Sequence, residues 1–275
     1  MEELLLCPKC RGALGRREKS LVCSLGHTYD IARQGYVNLL LGSAALHGDN
    51  REMIAARRMF LEKGLYASLR HRVAELAAGT VPSQGVILDA GCGECYYTEA
   101  VAQACLEKEK EAAILGFDVS KEAILAGSRR RCASLFTASS YDIPLRNSSV
   151  DLILCMFAPL ATEEFYRILR PEGRLLLAVP GRRHLWEMKK VLYDTPYENQ
   201  PQASDPKGFL LEERIPVEER VFLEDPETIA SLFAMTPYFY RTPKAGRERL
   251  SALSSLETEI SFEILLYRRR ESPEA

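Results

Sequence analysis

Between residues 85 and 181 the chain alternates in character. The apolar runs VILDA (86–90), ILGFDV (114–119), LFTAS (135–139), DLILC (151–155) and RLLLAVPG (174–181) are separated by segments of helical period, Tyr97 to Glu107, Lys121 to Arg131 and Glu163 to Leu169. Near-continuous apolar runs are the signature of strands buried on both faces. Strands alternating with helices pack as a mostly parallel, doubly wound sheet. The expected fold class is therefore α/β, and in such sheets ligands bind outside the C-terminal ends of the strands. Upstream, residues 50–79 read as helix. Asp49 or Asn50 can cap the start, and beyond Gly64 the residues Leu65, Leu69, Val73 and Leu76 share one face. Downstream, Asp225 and Pro226 can open a helix, ISFEILLY (260–267) reads as a late strand, and residues 194–208 read as an exposed polar loop.

Composition narrows the class. With 47% hydrophobic and 27% charged residues the chain is an ordinary globular protein, and its net charge of −2 excludes a polycation, so nucleic acid would have to meet local patches. The start, MEELLLCPKC, lacks the basic region of a signal peptide, and no run reaches the ~18 apolar residues of a membrane span. A cytoplasmic, non-membrane protein is expected, in which the eight cysteines serve as thiols, metal ligands or core residues rather than disulfides.

Four of the possible ligands are arranged for a metal. Cys7 and Cys10 form a C-x-x-C, and Cys23 and His27 follow as C-x-x-x-H, with Gly12 and Gly26 at the bends. Two short knuckles bearing three sulfurs and one imidazole suit tetrahedral Zn²⁺ with no open position, a structural site rather than a catalytic one. So short a segment has little apolar surface, so the metal would supply its folding energy. The bland alternative is unrelated thiols and a surface histidine.

The stretch LDAGCGECYYT (88–98) superposes two motifs, C-x-x-C at Cys92 and Cys95 and G-x-G at Gly91 and Gly93. Cys92 and Cys95 lack a second pair nearby. The glycines lie where strand 86–90 turns into a helix, a place where backbone N–H groups can meet a ligand. Tyr96 replaces the third glycine of a dinucleotide fingerprint, and Asp89 precedes the loop. A carboxylate there repels phosphate and suits a cation, as in S-adenosylmethionine, which carries a sulfonium and an ammonium. Asp118, at the end of the second strand, can accept both ribose hydroxyls; Ser139, Ser140 and Asp142 follow the third strand, where an adenine edge would lie; Ala158, Pro159 and Leu160 follow the fourth. A merely structural turn is the alternative.

These residues resemble a class I S-adenosylmethionine-dependent methyltransferase, a Rossmann-like doubly wound sheet. Together with CPKC…CSLGH, YDIARQGYVNLL (29–40), GDNREMIAARRMFLEKGLY (48–66) and VPGRRHLWEMK (179–189), the chain is similar to the RlmA-type guanine-N1 methyltransferases of large-subunit (23S) ribosomal RNA. The resemblance implies a structural zinc on Cys7, Cys10, Cys23 and His27 and cofactor contacts from Tyr66, from Glu94, Cys95 and Tyr96, and from His184, beside Asp89, Gly91, Gly93, Asp118 and Ser139. Tyr66 and His184 have bland readings as a packed ring and a surface histidine. Cys95 stands where the family's G-E-G-Y-Y has glycine, so a side chain is expected in the cofactor turn. The implied organisation is a zinc-binding RNA-recognition module (1–45), a helical linker contributing to the cofactor site (46–80) and a methyltransferase domain (81–270).

The implied reaction is methyl transfer to N1 of a guanine in a hairpin loop. Phe157, Ala158 and Pro159 are expected to contact the base, through a stacking ring and backbone carbonyls; a core aromatic is the alternative for Phe157. Arg16, Arg17, Lys19, Arg57, Arg58, Arg129–Arg131 and Arg182–Arg183 are candidate phosphate contacts, though most such groups are simply solvated faces. The catalytic base is left open, as are the oligomeric state, with a homodimer allowed for, and a role in antibiotic resistance. Two competing functions are a small-molecule methyltransferase and a non-catalytic RNA-binding protein with a degenerate pocket, the latter suggested by Cys95.

Overall fold

The computed structural model describes residues 2–42, 48–200 and 205–271. An N-terminal meander of β1 (Leu14–Arg17), β2 (Ser20–Cys23) and β3 (Thr28–Asp30) is followed by the two-residue β4 (Val37–Asn38) and the helices α1 (Arg51–Glu62) and α2 (Ala67–Thr80). Next come β5 (Val86–Ala90), α3 (Tyr96–Glu107), β6 (Ala113–Asp118), α4 (Lys121–Gly127), β7 (Ser134–Thr137), β8 (Val150–Met156), α5 (Thr162–Ile168), β9 (Leu169–Pro180) and α6 (Trp186–Leu192). The chain then runs through β10 (Phe209–Leu223), α7 (Pro226–Ala234), α8 (Tyr238–Arg241), α9 (Lys244–Ser251) and β11 (Leu256–Arg269).

The large sheet has the order β10-β11-β9-β8-β5-β6-β7-β4. From β9 to β4 all neighbours are parallel; β11 and β10 add an antiparallel flank. From β5 the chain builds outward through β6 and β7, then returns to lay β8 and β9 on the other side. The crevice between β5 and β8 is thus the switch point at which open α/β sheets bind ligands. Both faces are covered: Ile87 joins the apolar cluster with Phe60, Val73, Leu176 and Phe262, while its neighbour Leu88 joins Phe117, Phe136, Ile153 and Phe165 on the other side, as the two-residue period of a strand requires.

The expected α/β sheet is present, with differences of extent. The helix expected to reach Arg131 stops at Gly127, and residues Ser128–Arg130 close it as a 3-10 turn. The late strand is longer than the expected 260–267 at both ends. In the polar loop, residues 201–204 lie outside the described residues.

The N-terminal meander is bonded to the large domain. β4 lies parallel to β7, pairing Val37 with Phe136. The Leu6 N–H donates to the Pro144 carbonyl at 2.9 Å, and the Arg146 N–H to that of Leu4 at 3.1 Å. Leu5, Cys7, Leu14 and Leu21 belong to the same buried cluster as Leu88 and Leu145. No described helix is long and apolar enough to cross a membrane.

Candidate cofactor and metal sites

A cavity of about 990 Å³ opens at the C-terminal ends of the parallel strands. Asp89, Gly91, Gly93, Asp118, Ser139, Phe157, Ala158 and Pro159 line it from the strand ends, and Met53, Arg57 and Tyr66 close it from the α1–α2 side. At its base the Asp89 carboxylate is 2% exposed. One oxygen accepts the Thr98 hydroxyl at 2.6 Å; the other, Oδ1, is buried without a hydrogen-bond partner. Burial, with the nearby Asp118 charge adding to it, pushes the Asp89 carboxyl up to about 7. A buried acceptor lacking a donor is costly unless a ligand satisfies it, and the ammonium of S-adenosylmethionine is such a donor.

Asp118 locks the loop from the side. It accepts the Gly93 N–H at 3.0 Å and the Ser120 N–H at 2.8 Å, and burial raises its carboxyl above the usual range. Each oxygen keeps a second lone pair for a hydroxyl. The loop's own donors are spent internally, contrary to the expectation that they would face a ligand: the Gly91 and Cys92 N–H groups both donate to Phe117 O, and that of Cys95 to Cys92 O. What the cradle offers to a ligand is therefore carboxylate oxygens and close approach at the glycines. A Cβ on Gly91 would come 2.5 Å from that of Ala158, across the β5–β8 crevice, whereas Gly93, at φ +54°, faces open space.

Cys95 is a correction. It sits at φ +66°, the left-handed conformation that favours glycine, yet it is fully buried and packs with Ile124 and Leu135 beneath the loop. Its sulfur lies against Gly127 of α4, and it is not among the cavity residues. The pocket is therefore not narrowed by the substitution, and the reading as a degenerate binder loses its motive.

Glu94 lines the cavity as expected and is also the anion of an ion-pair chain. Its carboxylate is held between Arg58 at 2.5 Å and Arg130 at 3.1 Å, and Arg130 continues to Glu99 at 2.8 Å and Glu99 to Arg70 at 2.7 Å. The Arg70 guanidinium in turn lies 4.6 Å from the Tyr96 ring centre. The chain of charges ties α1 and α2 to the cofactor turn.

Tyr66 and His184, 118 positions apart, meet at the cavity with 3.5 Å between the Tyr66 hydroxyl and His184 Nε2. Both are buried, against the bland reading of His184 as a surface residue. His184 Nδ1 accepts the Ser261 N–H at 3.3 Å, which leaves the ring proton on Nε2. Burial and the Lys189 charge push its pKa down to about 3, so the ring is neutral. Phe157 is 45% exposed, against the core alternative. Its backbone is held at φ +58°, and its ring lies 5.3 Å from that of Phe262. The Ala158 and Pro159 carbonyls turn toward the Cys155 thiol, 3.5 and 3.9 Å away. Ser139 caps its own turn, its hydroxyl accepting the Tyr141 N–H at 3.2 Å.

At the other end of the chain's N-terminal part, the ligand atoms of Cys7, Cys10, Cys23 and His27 all lie within 4.8 Å of one another. Neighbouring separations are 3.6 Å between Cys10 and Cys23 sulfurs and 3.4 Å from His27 Nδ1 to the sulfurs of Cys7 and Cys23. A tetrahedron with metal–sulfur bonds of about 2.3 Å spaces its vertices by roughly 3.7 Å, so the cluster fits zinc. The Tyr29 hydroxyl, 3.2 Å from the Cys7 sulfur, supplies an outer hydrogen bond of the kind that steadies a thiolate ligand.

Two family models match, one described as "RlmA, N-terminal" over residues 5–41 and one described as "Methyltransferase domain" over residues 87–173. The 23S rRNA (guanine(748)-N(1))-methyltransferase of Streptomyces fradiae is 38% identical over 192 residues, 68% of this chain and 67% of that protein. The chain belongs to the 23S rRNA (guanine-N1)-methyltransferase family. YxjB of Bacillus subtilis (strain 168), provisionally named a 23S rRNA (guanine-N(1)-)-methyltransferase, is 30% identical over 94% of this chain and 95% of its own length. A Micromonospora griseorubida protein, named in the same provisional terms, is 36% identical over 67% of this chain and 68% of its own. In this methyltransferase family member the methyl donor is S-adenosylmethionine, and the three cysteines and one histidine form a structural zinc site.

The candidate phosphate contacts divide. Arg57 pairs with Asp49, Arg58 and Arg130 with Glu94, Arg182 with Glu198 and Arg183 with Glu259, whereas Arg17 and Lys19 are exposed at the β1–β2 turn.

Proposed function

We propose that this chain methylates N1 of a guanine in a hairpin loop of 23S ribosomal RNA. The observation that carries the reading is the unpartnered Asp89 Oδ1 at the base of a cavity built on the switch point, in a chain of this family. Bound S-adenosylmethionine supplies an electrophilic methyl on a sulfonium. Asp89 would accept its ammonium and Asp118 its ribose hydroxyls, with Gly91, Gly93 and Tyr96 shaping the turn and Ser139 at the adenine edge. Glu94, at the cavity wall, would hold the turn in place through its arginines, and Cys95 would act from behind it. The neutral His184 ring, donating from Nε2 toward the Tyr66 hydroxyl, adds no positive charge beside a sulfonium.

Guanine N1 is protonated at neutral pH and buried in base pairs, so the target is a loop or flipped base. The half-exposed Phe157 ring offers a surface for it, and the orientation of its Ala158 and Pro159 neighbours toward Cys155 makes the ring, rather than those carbonyls, the favoured contact. Holding N1 in line with the methyl supplies much of the acceleration; the N1–carbon bond forms as the methyl–sulfur bond breaks, sulfur leaves as a neutral thioether, and the N1 proton passes to water. Residues 1–45 would grip RNA through Arg17 and Lys19, residues 46–80 would complete the cofactor site, and residues 81–270 would carry the reaction. The setting would be the cytoplasm, where reduced thiolates can hold zinc; a homodimer is compatible and is decided by light scattering. The reading is tested by incubating the protein with labelled S-adenosylmethionine and naked 23S rRNA and mapping the product by mass spectrometry. One N1-methylguanine is expected; methyl on another base, or on a small molecule only, overturns it.

Zinc removal should act on RNA more than on cofactor. A Cys23→Ala variant is expected to melt roughly 10 °C lower, a loss of about 3–5 kcal/mol. Its rRNA methylation should fall more than its affinity for S-adenosylmethionine. Scanning calorimetry and cofactor titration check this, and equal losses in both activities would argue against separate roles.

A further inference from the structure

Eight large apolar side chains are exposed among the described residues, and half of them gather in one place. Tyr141, Phe157, Tyr197 and Tyr240, 68, 45, 49 and 66% exposed, line the cavity at the strand ends, whereas Leu25, Leu41, Leu106 and Phe222 lie elsewhere. They come from separate parts of the chain: the loop after β7, the end of β8, the loop after α6, and α8. Tyr141 lies on the cofactor side, next to Ser139, and Phe157 lies at the switch point. Tyr197 and Tyr240 stand on the far rim, where the proposed chemistry gives them no task.

Specific devices hold that rim. Lys189 is fully buried. Its ammonium donates to the Tyr197 carbonyl at 3.0 Å and to Asn199 Oδ1 at 2.7 Å, and lies 4.8 and 5.3 Å from the Tyr197 and Tyr238 ring centres. Burying a cation costs several kcal/mol unless its surroundings compensate, and here they are the Tyr197 carbonyl, the Asn199 amide and the rings of Tyr197 and of Tyr238 in α8. Asn199 Nδ2 donates onward to Gly181 O at 2.7 Å, at the end of β9. The Tyr240 hydroxyl, next to Arg241 in α8, meets Met53 Sδ of α1 at 3.3 Å.

The rim also carries cations. Of the four basic groups in residues 238–251, YFYRTPKAGRERLS, Lys244 pairs with Glu248 and Arg249 with Asp194, while Arg241 and Arg247 have no carboxylate partner among the described ion pairs. Arg241 is exposed and lines the cavity with the two tyrosines. Rings that present a face beside cations are the pattern with which proteins hold unstacked bases and their phosphates.

We propose that Tyr197 and Tyr240 form a stacking platform for a second, unstacked nucleobase next to the target guanine, with Arg241 meeting the phosphate between them. The platform rests on the RNA-methyltransferase reading and narrows it: the acceptor is a loop with at least two consecutive splayed nucleotides. Because Lys189 fixes Tyr197 in advance, the platform is preorganised rather than induced.

The test uses the full chain, with Tyr197→Ala, Tyr240→Ala and the ring-preserving Tyr197→Phe and Tyr240→Phe. With naked 23S rRNA as acceptor, each alanine variant should raise KM for RNA roughly tenfold, in line with loss of one base–aromatic stack. The rate at saturating RNA should stay within about twofold, S-adenosylmethionine affinity should be unchanged, and phenylalanine should restore KM. An unchanged KM in both alanine variants overturns the platform, as does a fall in cofactor affinity that parallels the loss in RNA, which would mark a purely structural role. If wild-type protein transfers no methyl to this RNA, the functional reading fails by itself. The platform is then judged by filter binding of the same RNA to the same variants, where equal retention by wild type and both alanine variants overturns it.

Discussion

S-adenosylmethionine should bind about tenfold more tightly for each pH unit gained below pH ~7, with the gain levelling off above it. The cause is Asp89. In the folded chain without ligand its carboxyl is raised to about 7 by burial and by the Asp118 charge, which together outweigh the opposing Thr98 hydrogen bond. The cofactor's ammonium needs the ionised form, so binding at lower pH must release a proton. The sign for stability is the reverse. The folded protein keeps a proton that the unfolded chain loses near pH 4, so ligand-free stability falls as pH rises from about 4 to 7, by at most on the order of 4 kcal/mol. Cofactor-induced stabilisation should therefore grow between pH 6 and 8, as seen in paired thermal melts. Asp89→Asn should bind weakly at every pH and lose the slope. A slope that survives in that variant would assign the proton to another group.

Glu94→Ala should lower stability by about 3 kcal/mol and weaken cofactor binding at least tenfold. Glu94 is 3% exposed and is the shared anion of Arg58 and Arg130. Removing it leaves two guanidiniums facing each other across a mostly buried gap, and breaking such a pair from one side is far more costly than the pair's net worth. Part of the loss is moderated by solvent, since the Arg58 side chain is 31% exposed. The cofactor effect follows from position: Glu94 lies between Gly93 and the start of α3, and Arg130 Nε also donates to the Glu94 carbonyl at 2.9 Å. Urea denaturation and cofactor titration measure both. Unchanged binding despite lower stability would show that α1 and the turn hold their geometry without the charges.

The central sheet was legible because parallel strands buried on both faces carry their signature in a handful of adjacent residues. The Asp89–Gly93 turn and the Cys7–His27 cluster were legible for the same reason: their chemistry is local. β10 escaped notice. It is an edge strand of mixed polarity, LLEERIPVEER within it exposing most side chains, and it contains Pro216, which an edge tolerates and a central strand does not. β4 has two residues, too few for any period. The meeting of Tyr66 with His184 depends on how α2 and the end of β9 are laid over the sheet, which spacing does not encode. Cys95 was misdirected by treating its side chain as pointing along the loop; the left-handed backbone at that residue turns it under α4 instead. Tyr197 falls in a loop legible only as polar and exposed, and Tyr240 in a segment with no motif; the cavity gives them a common site.

The two residues of β4 have a consequence out of proportion to their number. They cap the outermost rung of the parallel sheet, and they are delivered there by the segment that the four zinc ligands fold. Loss of the metal would therefore do more than unravel a distant knuckle. It would uncover the bare hydrogen-bonding groups of β7, the kind of open flank through which one chain recruits another into an aggregate.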